Sequence, residues 1–231
     1  VRKRAMTIDR KDISTYQRPN DSLVLEGIMT TVSPDGRANI SPMGPIVDAH
    51  SQRMILRPFK TSTTYHNLKS TGEGVFHITD DALLLARAAI SDVQPSEQML
   101  VRDAEVVHGL VLTDACRYYE LKVEDLDDRD QRVTIRTQIV AAGRIRDFVG
   151  FNRARHAVIE AAILVTRLHL TGPVPVLEQM LALQKIVDKT GNRNEQQAME
   201  ELFEYVRSWH PSEETTPASD AGPIVTEEGS S

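Results

Sequence analysis

The sequence predicts a partly closed β-barrel followed by a small helical bundle, and three observations lead there. From Leu23 to Asp147 the signals are mostly those of strands and turns. From Phe151 to Trp209 apolar residues recur at helical spacing instead, so the chain changes character once, near Phe148 to Phe151. A strand-rich region with inserted helices manages its exposed edges by curling toward closure. The expected organisation is an N-terminal arm over residues 1–20, a barrel domain over 21–150, a helical region over 151–210 and a disordered acidic tail over 211–231.

Each element has a local reason. Leu23 to Val32 is β-rich, Ser33-Pro34-Asp35-Gly36 is a strong turn signal and Arg37 to Ser41 resumes the strand, which makes a hairpin. Met54-Ile55-Leu56 is a short buried strand. Thr61 to Ser70 is a helix that starts on hydroxyls and stops at Gly72, and Asp80 or Asp81 caps a second helix over Ala82 to Arg87. Tyr119, Leu121 and Val123 alternate with Glu120, Lys122 and Glu124, and Val133, Ile135, Thr137 and Ile139 alternate beyond an acidic loop. That pattern is a second, longer hairpin. Three amphipathic helices follow, over Asn152 to Leu170, Val176 to Lys189 and Asn194 to Ser208, joined by short Gly-Pro and Gly-Asn connections that favour an antiparallel bundle.

Composition narrows the function. No apolar run approaches the roughly 18 residues of a membrane span, and the basic start Val1 to Lys11 has no apolar signal core behind it, so the reading is a cytoplasmic protein. Residues 211–231 hold five acids and no bases, which takes the net charge of −6 to −1 for the remainder. A near-neutral body lacks the electrostatic footprint of a nucleic-acid binder. Cys116 stands alone, and no histidine has another four residues away, so neither an internal disulfide nor a helical zinc site is expected.

The most informative stretch is Leu56 to Asn67. It joins Arg57 and Lys60 to four successive hydroxyls, Thr61, Ser62, Thr63 and Thr64, at a strand-to-helix junction. A helix start offers unsatisfied N–H groups and a positive dipole end to an anion, and hydroxyls and a guanidinium add donors for phosphate oxygens. The spacing alone fits an ordinary hydroxyl cap with solvated cations equally well. In Ser41-Pro42-Met43-Gly44-Pro45 the two prolines argue against continued strand pairing, leaving the Met43 and Gly44 amides for a ligand, or else marking a bend at a barrel corner. Arg153 and Arg155, at the start of the first C-terminal helix, could hold an acidic substrate; the alternative is Asn152 as N-cap with the arginines solvated or bridging subunits. No catalytic acid, base or nucleophile stands out, Tyr65 and His66 being the nearest titratable groups, and no glycine fingerprint for nicotinamide follows a strand.

Together these residues resemble the FMN-binding split-barrel superfamily of flavin reductases and pyridoxamine-phosphate-oxidase-like proteins, and within it the uncharacterised branch called domain of unknown function 447. The likeness rests on Glu26 to Val32, the Pro34-Asp35-Gly36 turn, Asn39 to Pro45, Arg57 to Asn67, Thr71-Gly72-Glu73, Ile78 to Asp81, and Phe151 to Arg155 with Ile159 to Ala161. It implies a six-stranded split barrel that dimerises, with FMN in a groove between subunits. It implies further that Arg57, Lys60, Thr61, Ser62 and Thr63 or Thr64 hold the phosphate, that Ser41, Pro42, Met43 and Gly44 lie against the flavin ring, and that Asn67 braces the cradle through backbone contacts. The function so implied is an FMN-dependent oxidoreductase acting on a small molecule, the rivals being a flavin-binding or regulatory module without turnover and a structural interaction protein.

Overall fold

In the structure, a computed structural model, residues 22–48, 52–96 and 99–210 are described; the arm expected over 1–20 and the tail expected over 211–231 lie outside the described residues. Ten strands and six helices follow in the order β1 (Ser22–Val24), β2 (Gly27–Val32), β3 (Ala38–Met43), β4 (Ile46–Asp48), β5 (Arg53–Leu56), α1 (Thr63–Thr71), β6 (Glu73–Ile78), α2 (Ala82–Ile90), β7 (Val101–Asp103), β8 (Leu110–Leu112), β9 (Arg117–Asp127), β10 (Thr134–Arg144), α3 (Arg153–Val165), α4 (Leu168–Thr171), α5 (Pro173–Thr190) and α6 (Arg193–Ser208). Eight strands form one antiparallel sheet in the order β1-β4-β5-β10-β9-β6-β2-β3, with β7 and β8 as a separate pair.

The sheet curls. Strands β5 and β2 are separated by three others, yet Met54 and Leu56 share one core with Met29, Phe76, Leu121 and Ile135, which α1 closes with Tyr65 and Leu68. Six strands have four or more residues, matching the six expected, and the three-residue β1 and β4 add two at one edge. Three residues are too few for alternation to register, so β4 leaves no signal and β1 merges with the β-rich run from Leu23 to Val32.

Both hairpins form as predicted. Strands β2 and β3 pair from Gly27↔Met43 to Val32↔Ala38, and β9 and β10 from Arg117↔Arg144 to Asp127↔Thr134. One expectation is overturned: Pro42 does not end the pairing but sits inside β3, opposite Ile28. The reason is topological, because β3 is the last strand of the sheet and an edge strand tolerates a residue without an N–H. At Gly27 the backbone passes so close to β6 that an added Cβ would lie 2.2 Å from the His77 carbonyl and 2.7 Å from the Phe76 ring. Backbone cannot yield as a flexible side chain does. Gly27→Ala is therefore expected to cost about 1–3 kcal/mol or more, read as a lowered urea midpoint at unchanged slope.

Helix ends follow their caps. The Ser62 Oγ accepts from the Tyr65 amide, and Gly72 ends α1 in the left-handed region at φ 72° with its N–H on the Leu68 carbonyl. Asp81, not Asp80, caps α2 through the Leu84 amide. Asn152 caps α3, and Asn192 with Glu195 forms a capping box on α6. The first of the three expected C-terminal helices is broken at Thr166–Arg167 into α3 and α4, so four helices replace three. The break lets Leu168 turn into the helical core beside Val176 and Met180. That core also takes Ala82 and Ala86 from α2, against which α3 packs its small-residue face of Ala154, Ala157 and Ala161.

Asp80 ties the two layers together. Its carboxylate accepts from Arg146 at 2.6 Å and from the Val149 amide at 3.0 Å, and faces Arg155 of α3 at 3.4 Å; Arg155 in turn donates to Glu195 of α6 at 3.3 Å. Among the described residues no helix is long and apolar enough to cross a membrane, and no cluster of three or more His, Cys, Asp or Glu is placed to hold a metal ion.

Candidate cofactor-binding groove

A groove of about 730 Å³ opens between the outer edge of β3, the start of α1 and the segment that follows α2. Residues Ser33, Arg37, Asn39, Ser41, Thr63, His66, Asn67, Ser91, Asp92 and Gln94 line it. Val93 bridges to Ile40 and so lays the 91–94 segment along the β3 edge as the far wall. The volume lies in the usual range for small-molecule sites, roughly 300–1,000 Å³.

The floor is a network of short polar side chains. Ser41 and Thr64 share a hydroxyl–hydroxyl bond of 2.7 Å, the Asn39 amide donates to Thr64 at 3.1 Å and to Thr31 at 3.2 Å, and the Asn67 amide donates to Thr31 at 3.0 Å. Thr31, Thr64 and Asn67 are buried, so these bonds satisfy groups that would otherwise be costly to desolvate. Asn67 thus braces the site by its side chain, in place of the expected backbone contacts. The network fixes the entry angle of α1, whose first turn carries no acid and whose N-terminus meets the groove at Thr63.

The expected phosphate holders fall into two groups. Thr63 lines the groove and Thr64 lies in its floor beneath Ser41, whereas Thr61 lies exposed at the helix start and Ser62 is occupied as the cap, its hydroxyl also donating to the Phe59 carbonyl. Lys60 donates from Nζ to the Asp128 carbonyl at 2.7 Å and from its amide to Gln131, so it holds the β9–β10 turn. Arg57 is at the end of β5, beside the same turn, and is not among the lining residues of the groove. Asp128 also accepts from Tyr65 and from Lys69, each at 2.7 Å.

Of the residues expected against a ring, Pro42 and Met43 lie in the β3 ladder, and Met43 packs on the barrel core. The space that a side chain at Gly44 would need is taken by Val24 and Glu26, at 2.9 and 3.2 Å from an added Cβ. Glu26 was not foreseen from sequence; burial and then the nearby Glu160 of α3 push its carboxyl above the usual range. Arg155 is engaged with Asp80 and Glu195, while Arg153 is exposed. Asn39 was also missed, although Asn39 and Ser41, two apart on a strand, share a face and could have been read together. The far wall, Ser91 to Gln94, has no sequence signal because only the bridge to Ile40 brings it to the groove.

A family described as protein of unknown function (DUF447) matches residues 25–146 by its N-terminal domain and residues 152–204 by the part that follows. The chain belongs to this family. A crystal structure of an FMN-bound protein of the same family from Methanosarcina mazei is 27% identical and superposes with a TM-score of 0.69, covering 79% of this chain and 94% of that one. The fold of this DUF447 chain is therefore the FMN-binding split barrel. Flavoredoxin from Methanosarcina acetivorans is 11% identical over 62% of this chain and 76% of that one, at a TM-score of 0.48. An FMN-binding protein from Thermus thermophilus with bound 1-cyclohex-2-enone is 13% identical over 62% and 80%, at 0.46.

Proposed function

We propose that this chain is an FMN-binding flavoprotein that works in the cytoplasm as a homodimer and uses its flavin in an oxidoreductase reaction on a small molecule. The observation that carries the reading is the buried hydroxyl and amide floor of the groove at the capped start of α1, in a chain that matches an FMN-bound relative over nearly that relative's whole length. The donor set suits a phosphorylated ligand: a helix start without acids, hydroxyls at Thr61 to Thr64 and two cations close by in the chain. Of the expected holders, Arg57, Thr61 and Thr63 take the phosphate, while Lys60 steadies the β9–β10 turn, Ser62 caps α1 and Thr64 belongs to the floor; Ser41 to Gly44 flank the ring, and Asn67 keeps α1 in place through Thr31. Arg153 is exposed where an acidic substrate could meet it, while Arg155 serves the layer contact.

Bound FMN supplies hydride or single-electron transfer, which asks of the protein only binding, orientation and electrostatics. Among the described residues that line the groove, His66 and Asp92 are the acid–base groups besides Arg37, and His66 lies against the Tyr65 ring at 5.0 Å between centroids. That sparseness also favours a second reading, a module that stores or senses flavin without turnover.

An FMN titration followed by absorbance and flavin fluorescence tests the reading. Saturable binding with a shifted oxidised-flavin spectrum is expected, and a sample that stays colourless after FMN and desalting overturns it. Arg57→Ala is expected to weaken FMN binding by about 1.5–3 kcal/mol, the worth of one charge-assisted contact, with riboflavin binding unchanged. Anaerobic NADH or NADPH separates the two readings: bleaching marks an oxidoreductase, and persistent oxidised flavin with both donors marks the module.

A further inference from the structure

We propose that Arg132, carried by the β9–β10 turn, is a further cation of the phosphate site and acts beside Arg57. The inference rests on the FMN reading above. The pairing of β5 with β10 runs through Leu56↔Ile135 and continues beyond the strand ends. The Val133 amide donates to the Pro58 carbonyl at 3.0 Å, Phe59 and Arg132 are bridged, and the Lys60 amide donates to the Gln131 carbonyl at 2.9 Å. This register sets Arg57 diagonal to Arg132 on one face of the ladder, opposite the face on which Leu56, Val133 and Ile135 are wholly buried. Diagonal neighbours lie roughly 7 Å apart, well within the reach of two arginine side chains.

Arg132 is oriented as well as near. Its guanidinium stacks on the Phe59 ring at 4.4 Å, which fixes the plane of its donors. The turn that carries it is pinned to α1 and to the phosphate run by Lys60, Tyr65 and Lys69, all of which donate to Asp128. None of the turn's own acids serves as its counter-charge: Asp127 binds Arg129, Asp128 binds Tyr65 and Lys69, and Asp130 acts on Arg129. Among the described residues the charges that act on Arg132 are those of Arg57 and Arg167, and after the loss of solvent around its guanidinium they lower its proton affinity further. Neighbouring guanidinium groups repel one another, and a phosphate dianion that meets both relieves the repulsion and matches their planar donors. The segment thus couples the longer hairpin to the cofactor run: the hairpin contributes a ligand for the phosphate as well as a wall of the barrel.

Arg132→Met removes the charge and keeps an apolar cover on Phe59. FMN and riboflavin, which differ by the phosphate, are titrated into the wild-type protein and the variant, with melting temperatures of both. The expected result is an FMN affinity lowered about tenfold or more, an unchanged riboflavin affinity, an unchanged melting temperature and partial recovery in Arg132→Lys. Equal losses for both flavins would assign the residue to the ring or to the fold, and an unchanged FMN affinity would remove it from the site. Either overturns the inference while the FMN reading stands. A wild-type protein that binds neither flavin overturns the reading itself, and the inference with it.

Discussion

Asp80→Ala is expected to destabilise the protein by about 3–5 kcal/mol, the usual cost of removing one partner from a buried ion pair. The Asp80 side chain is only 5% exposed, and it answers two arginines and a backbone amide drawn from the β10–α3 link and from α3 itself. Alanine leaves Arg155, itself mostly buried, with Glu195 alone, and strands the Val149 amide that holds the link between β10 and α3. Burial raises the Asp80 carboxyl, but the Arg146 hydrogen bond, the Val149 amide and the charges of Arg146 and Arg155 outweigh it and hold the pKa at about 2. Its contribution is therefore present above the ordinary aspartate range and is lost as pH falls through that value. Urea unfolding at neutral pH measures the effect, and a change below about 1 kcal/mol would show that the layers are held by apolar packing alone. Glu124→Ala, which breaks the exposed pair with Arg53, is the matched control and is expected to stay within that smaller range.

Between pH 6.5 and about 4 the protein is expected to lose about 3 kcal/mol of stability through His77 alone. The ring is wholly buried between β2 and β8, where Nδ1 meets the Ile28 carbonyl at 3.2 Å and Nε2 accepts from the Leu112 amide at 3.1 Å. A neutral imidazole with its proton on Nδ1 satisfies both bonds, whereas protonating Nε2 would set two donors against each other. Burial pushes the folded pKa down from 6.5 to about 4, only partly opposed by the Ile28 bond. Above 6.5 neither state is charged and the full stability is present. Below it the unfolded chain takes a proton that the folded chain refuses, so stability declines by up to about 1.4 kcal/mol per pH unit and levels off once the folded state protonates too. His77→Gln, which keeps an acceptor for Leu112, should flatten the profile in this window. A wild-type profile already flat there would mean that the buried ring takes up its proton as readily as the unfolded chain does.

The sequence made the hairpins legible because alternation and turn chemistry are local properties, and the same holds for the Ser62, Asp81 and Asn152 caps. Pro42 was misread for the opposite reason. Whether a proline ends a strand depends on whether its N–H would face a neighbour, and edge position is a property of the whole sheet. The break at Thr166–Arg167 was hidden because both flanking segments carry good helical patterns, and only the placement of Leu168 in the core requires the turn. In the site, the Thr61–Thr64 run announced the start of α1, but local spacing could not reveal that Lys60 turns toward Gln131 and Asp128. Those partners lie more than sixty residues along the chain. The 91–94 wall owes its position to tertiary approach and not to any motif.

The proline in β3 has a consequence for assembly. A bare edge strand offers its amides and carbonyls as a template on which another chain can add. Here Pro42 has no amide to offer, and Val93 already occupies the ladder position beside Ile40. Strand addition by a second molecule is thereby blocked along the very edge that borders the groove. The groove's rim thus stays open to a small molecule and is not sealed inside a shared sheet.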